Sequence, residues 1–167
     1  MCVLNKDEIR EMIFEFGLIK DYIDLEIQLQ PNGFDCTLRK VFKLKNAGKI
    51  DFDNKERIVS ETEEISFEND WAYLPKGYYK AQINEIVKLP RNVMAIGKPR
   101  STLVRCGASV ISAVWDAGYE GRGEIGIFVA NEEGIWLKRN ARIMQLVFLK
   151  LEKETEGYRG TYFKENL

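Results

Sequence analysis

The chain has 167 residues, 45% of them hydrophobic and 31% charged, with 25 Lys+Arg against 26 Asp+Glu and no histidine. This length suits a single domain, residues 1–167, with a real core, and is short for a cofactor domain joined to a catalytic one. Without imidazole there is no Ser-His-Asp or Cys-His nucleophile system and no His-ligated metal, so proton transfer falls to carboxylates, Lys or Tyr. A net charge of −1 gives no footing for nucleic acid or a membrane surface.

The first element predicted is a helix over residues 6–16. Asn5 caps it with Glu8 three residues later, Ile9, Met12, Ile13 and Phe16 fall on one face, and Gly17 closes it. From Ile19 onward, short runs rich in Val, Ile, Phe and Tyr alternate with turn signals at PNG (31–33), NAGK (46–49), PKG (75–77), LPRN (89–92) and NEEG (131–134). The expectation is a mainly antiparallel β domain with strands at 26–30, 36–44, 57–67, 78–87, 93–97, 109–115, 123–130, 134–138 and 142–151. No linker, repeat or low-complexity tract divides it.

Two segments break the β rhythm. RSTLVRCG (100–107) reads as a short helix, with Ser101 placed to cap it and Gly107 to end it. WDAGYEGRGE (115–124) is a glycine-rich bend between apolar strands, with more backbone freedom than a plain hairpin requires. The segment from Lys153 is charged and has no core pattern, which leaves its order to a ligand or a neighbouring subunit. Cys2, Cys36 and Cys106 are odd in number, far apart and without zinc or disulfide spacing, so they read as reduced thiols. There is no basic-then-apolar leader and no apolar run long enough for a membrane span, and a cytoplasmic location is expected.

Several residues have both a chemical and an ordinary reading. Asp116 is a strand-end carboxylate facing a pocket, or a turn aspartate. Arg100, Ser101 and Arg105 make a phosphate site at a helix start, or a surface turn with two solvated arginines. Asp35 is a carboxylate beside a metal, or the residue after a tight Asn-Gly turn. Gln145, inside RIMQLVFL, is a buried amide in need of partners or the polar phase of a strand. Arg159 and Phe163, in YRGTYF, suit phosphate contact and base stacking, or a plain tail.

Taken in order, QPNGFDCTL, KPRSTLVR, WDAGYEGRGEIG, ARIMQLVF and the terminal YRGTYF resemble the family that joins trimeric dUTP diphosphatases with dCTP deaminases. The resemblance runs from about Gln30 to Phe163. It implies a distorted antiparallel β-barrel, jelly-roll-like, with an N-terminal helix and one short internal helix. It also implies a homotrimer whose sites lie at subunit boundaries, with Arg100, Ser101, Arg105 and Gln145 on the triphosphate and Asp35 near a Mg²⁺ shell. Asp116 would activate the water that attacks the α-phosphorus, Tyr119 would pack beneath the deoxyribose, and Arg159 and Phe163 would close over phosphate and base.

EIGIFV (124–129) and Tyr119 resemble the diphosphatase branch, of archaeal type, so dUTP hydrolysis is the leading expectation. The deaminase pattern puts a glutamate ten residues after the motif aspartate, where this chain has Gly126 or, allowing for a two-residue Gly-Arg insertion, Phe128. Glu124 nevertheless keeps metal-free deamination of dCTP, alone or combined with hydrolysis, as the alternative. A nucleotide-binding regulatory protein without chemistry is the third. The ending GTYFKENL is shorter than the Gly/Ser-rich diphosphatase tail.

Overall fold

The protein is described by a computed structural model covering residues 2–167. In chain order it forms β1 (Cys2–Val3), α1 (Lys6–Phe16), β2 (Ile19–Lys20), α2 (Leu25–Gln28), β3 (Leu29–Gln30), β4 (Gly33–Leu44), β5 (Thr62–Glu64), β6 (Trp71–Leu74) and β7 (Gly77–Ile83). There follow β8 (Ile86–Lys88), β9 (Val93–Pro99), α3 (Ser101–Arg105), β10 (Ala108–Ile111), β11 (Val114–Trp115), β12 (Glu120–Gly121), β13 (Glu124–Val129), β14 (Ile135–Lys138) and β15 (Arg142–Lys150).

The main sheet runs β10-β13-β7-β4-β15-β9-β11, and its neighbours pair antiparallel. Its two ends, β10 and β11, are separated in sequence by Ser112 and Ala113 alone. The sheet therefore has to curl until its ends meet, which gives the barrel-like shape that the resemblance implies. Along β15, Met144, Leu146 and Phe148 are buried, and Gln145, Val147 and Leu149 are only partly covered. This period of two sends one face into a core that also takes Phe34, Leu38, Ile83 and Ile127. Helix α1 adds Ile9 and Ile13 to that core. Both halves of its capping box form, and Gly17 ends it in the left-handed region at φ 74°.

Several expected elements change. Residues 26–30 are not one strand: Asp24 caps α2 through Ile27 N–H (3.0 Å), and only Leu29–Gln30 is extended. The 57–67 run contributes only β5 and a bridge from Ile58 to Lys49. The 78–87 run breaks at Asn84 and Glu85, and β8 pairs with β12 and β2 instead of continuing the main sheet. The 109–115 run breaks into β10 and β11, which join opposite ends of the sheet. β6, absent from the expected set, pairs with β14. The helix at 101–105 forms, but Arg100 occupies its cap position and no side chain caps it, so Ser101 is its first residue.

Candidate active site

Asp35 lies near the start of β4, opposite Gln145 of β15, with its side chain only 2% exposed. Its Oδ2 accepts from Arg100 Nε at 2.8 Å and Arg142 Nη1 at 3.3 Å. Arg142 Nη1 also donates to the Ile27 carbonyl at 2.9 Å. Burial raises the Asp35 carboxyl above its ordinary value, and the two guanidinium groups pull it back. A carboxylate held in this way fixes two arginines through one oxygen, Oδ2. Gln145, half-buried beside it, sits on the partly covered phase of β15, with Lys98 as its other cross-strand neighbour.

Directly beneath is a second buried acid, Glu85. Its Oε1 accepts from Gln28 Nε2 (2.7 Å) and Thr37 Oγ1 (2.7 Å), and its Oε2 from Thr37 N–H (2.9 Å). Gln28 also donates to the Asp35 carbonyl at 2.9 Å. The Gln28 side-chain oxygen Oε1 accepts from the N–H groups of Ile23 and Asp24. This network ties α2, the break after β7 and β4 into one support for Asp35. Burial pushes Glu85 up, against its hydrogen bonds.

A separate cavity of about 570 Å³ opens between the 112–126 segment and the tail. Asp116, Tyr119, Glu124, Trp115, Lys80 and Glu165 are among its walls. Asp116, at the end of β11, is exposed there. Tyr119 is held edge-on between Trp115 (5.3 Å between centroids) and Tyr158 (5.8 Å), and its hydroxyl donates to Glu165 Oε1 at 2.8 Å. Burial, then the Glu165 carboxylate, pushes the phenol up, so it remains a donor. Glu124 pairs with Lys80 at 2.9 Å, while Arg122 turns away to Asp21 at 2.7 Å.

The tail has no core pattern and is nevertheless ordered, on its own chain. Tyr158 N–H donates to the Ala117 carbonyl (2.8 Å), Lys164 N–H to Glu120 (2.7 Å) and Arg122 N–H to Glu165 (3.0 Å). Gly118, at φ 85°, lies where this crossing is tight: a Cβ there would come 2.7 Å from the Cα of Gly157. Arg159 and Phe163 are exposed on this segment.

The predicted residues thus fall into two groups. Arg100, Asp35 and Gln145 meet where β4, β15 and the end of β9 adjoin; Asp116, Tyr119 and Glu124 share the cavity. Ser101 and Arg105 are exposed on α3 and touch neither group's hydrogen bonds. Trp115 pairs with Ala95 near one end of β9, and Arg100 follows its other end. Five residues of extended chain put about 16 Å between these levels. Arg142, Lys80, Trp115, Glu165 and Glu85 belong to these clusters and escaped the sequence reading. Arg142 and Trp115 left a signal, as the second residue of ARIMQLVF and the first of WDAGYEGRGEIG.

The fold is a curled antiparallel β domain with two clusters of polar side chains. The family described as dCTP deaminase-like matches residues 3–151, and the chain belongs to it. A probable deoxyuridine 5'-triphosphate nucleotidohydrolase of Archaeoglobus fulgidus is 60% identical over 167 residues, covering 100% of this chain and 99% of its own. The deoxyuridine 5'-triphosphate nucleotidohydrolase of Methanocaldococcus jannaschii is 37% identical over 155 residues, 90% of this chain and 98% of its own. A crystal structure of 2'-deoxycytidine 5'-triphosphate deaminase from Agrobacterium tumefaciens matches with a TM-score of 0.67 at 23% identity, over 87% of this chain and 47% of that one. That likeness is one of fold. Among the described residues, no helix is long and apolar enough to cross a membrane.

Proposed function

We propose that the protein hydrolyses dUTP to dUMP and diphosphate. The observation that carries this reading is the cavity wall at Gly126. At this position, ten residues after Asp116, the deaminase pattern has its glutamate. Here a glycine stands against the Tyr78 hydroxyl, in contact so close that a Cβ would collide with it. No acid reaches the base from there. The names of the full-length relatives support the same substrate.

In this reading Asp116 orients a water and takes its proton while the oxygen attacks the α-phosphorus and the bond to diphosphate breaks. A carboxylate of ordinary basicity suffices because positioning and charge neutralisation supply most of the rate. Tyr119, clamped by Trp115 and Tyr158, carries the deoxyribose. Arg100, Ser101, Arg105 and Gln145 hold the triphosphate, and Arg159 and Phe163 close over phosphate and base. The described residues include no group of three or more His, Cys, Asp or Glu side chains able to hold a metal, and Asp35 is committed to two arginines. Within one chain the described residues therefore do not enclose a Mg²⁺ by themselves. A divalent ion would arrive on the triphosphate, as part of the substrate.

The roughly 16 Å of extended chain between Ala95, the partner of Trp115, and Arg100 sets Asp116 and Arg100 at different levels of β9, which supports a site completed by a neighbouring copy in a homotrimer. Apolar side chains left on the surface near both groups, Ile96, Val114 and Ile111, support such contacts. The free cysteines fit a reducing cytoplasm.

Separate incubations with dUTP and dCTP test the reading. It expects dUMP and diphosphate from dUTP. Glu124 lines the same cavity, which is the observation favouring the second reading; dUTP and ammonia from dCTP would establish deamination instead. Tight binding without either product would leave a nucleotide-binding protein.

A further inference from the structure

Arg122 is buried and takes no part in the proposed hydrolysis. Its Nη2 donates to Asp21 Oδ2 at 2.7 Å, and its Nε has no hydrogen-bond partner among the described residues. Burying a guanidinium for a single ion pair costs desolvation that the pair alone seldom offsets. The main chain of the same residue is also engaged. Its N–H donates to the Glu165 carbonyl at 3.0 Å, and its carbonyl accepts from Asn166 Nδ2 at 3.0 Å. Arg122 thus joins three segments: the bend that contains it, the end of the tail, and the turn after β2 that carries Asp21.

Asp21 lies in the left-handed region at φ 55°, uncommon for a residue other than glycine. β2 pairs with β8, and β8 with β12, the strand of Glu120 and Gly121 immediately before Arg122. Turn and bend are therefore bridged twice, by this small sheet and by the ion pair. The route from Arg122 to the cavity is short. Glu165, whose carbonyl the Arg122 N–H holds, accepts from the Tyr119 hydroxyl at 2.8 Å. There is no slack between them: a Cβ on Gly121 would come 2.7 Å from that hydroxyl and 3.2 Å from the Glu165 nitrogen.

We propose that Arg122 is a positioning residue for Tyr119. Anchored on Asp21, it fixes the junction of bend and tail and keeps Glu165 against the phenol, which sets the height of the ring. A sugar resting on a ring of fixed height has room for hydrogen at C2′ and none for a hydroxyl; a ring free to shift admits both. Arg122 therefore acts on the choice between deoxyribose and ribose, through Tyr119 and without touching the nucleotide. This role rests on the dUTP reading above, with the sugar at Tyr119.

Equilibrium binding of the α,β-imido analogues of dUTP and UTP tests it without turnover. Arg122→Met keeps an apolar stem and loses the ion pair. It should lower the dUTP-over-UTP affinity ratio about tenfold or more, within the range a pocket commands over one small group. Arg122→Lys still offers Asp21 one ammonium and should keep most of the ratio. Asp21→Gly accepts φ 55° without strain and removes the partner from outside the cavity, so it should lower the ratio as Arg122→Met does. If folded Asp21→Gly binds both analogues in the wild-type ratio, Arg122 only braces the structure and does not position Tyr119; a Lys variant no better than the Met variant also overturns the proposal. A wild type with no preference for the deoxy analogue would defeat the sugar reading of Tyr119, whereas a preference kept in all three variants defeats only the role of Arg122.

Discussion

Asp35 and Asp116 differ in exposure and in company. Asp35 is buried under two guanidinium groups, so its charge is spent on holding Arg100 and Arg142; Asp116 is exposed in a cavity with no cation paired to it. In the proposed hydrolysis, the second is the one that takes a proton from water. Asp116→Asn should lower kcat/KM for dUTP at least about 100-fold, the usual worth of a placed base, with affinity for a non-hydrolysed analogue kept within a few-fold. Retained turnover would remove its role. Glu85 makes a different prediction. Burial raises its pKa, so the folded protein holds that proton to higher pH than the unfolded chain does. Its contribution to stability is complete below the ordinary glutamate range and is lost as pH rises through the raised folded value. In Glu85→Gln an amide N–H₂ must face one of three donors, which should cost about 1–3 kcal/mol near neutral pH. Urea unfolding across the acid range checks both points; identical pH slopes in the two proteins would contradict the first.

Among the elements, those with local punctuation were legible. Helix α1 announced itself through Asn5, Glu8 and Gly17, and all three act as their positions suggest. The long strands β4, β13 and β15 show in their Val, Ile and Phe content. Helix α2 did not show, because LEIQ alternates apolar and polar residues like a strand; a cap from Asp24 and the pull of Gln28 into a buried network decide it. The breaks at 84–85 and 112–113 were hidden for a related reason. Each interrupts an apolar run without Gly or Pro, and only the pairing partners on either side reveal them. The tail is held by backbone groups of the 117–122 bend, a contact that composition cannot encode. At the site, Asp116, Tyr119, Arg100, Asp35 and Gln145 were found through their motifs. Lys80 and Glu165 come from segments 36 residues before and 49 after Asp116, and only folding puts them beside it.

For the whole molecule, the decisive geometry is the placement of Asp116 and Arg100 at different levels of β9. If one triphosphate must touch both, they belong to different chains, and the site exists only in the assembly. If the protein is the proposed homotrimer, co-expressing Asp116→Asn and Arg100→Ala chains under different tags, and purifying through both tags, yields only mixed trimers; Arg142 still partners Asp35 in the second variant. Each parent alone should be nearly inactive on dUTP. Every mixed trimer should contain one site with both residues intact, so the mixture should recover about a third of wild-type activity per oligomer. Activity no greater than that of the parents would place Asp116 and Arg100 of one chain in one site and contradict the shared-site account.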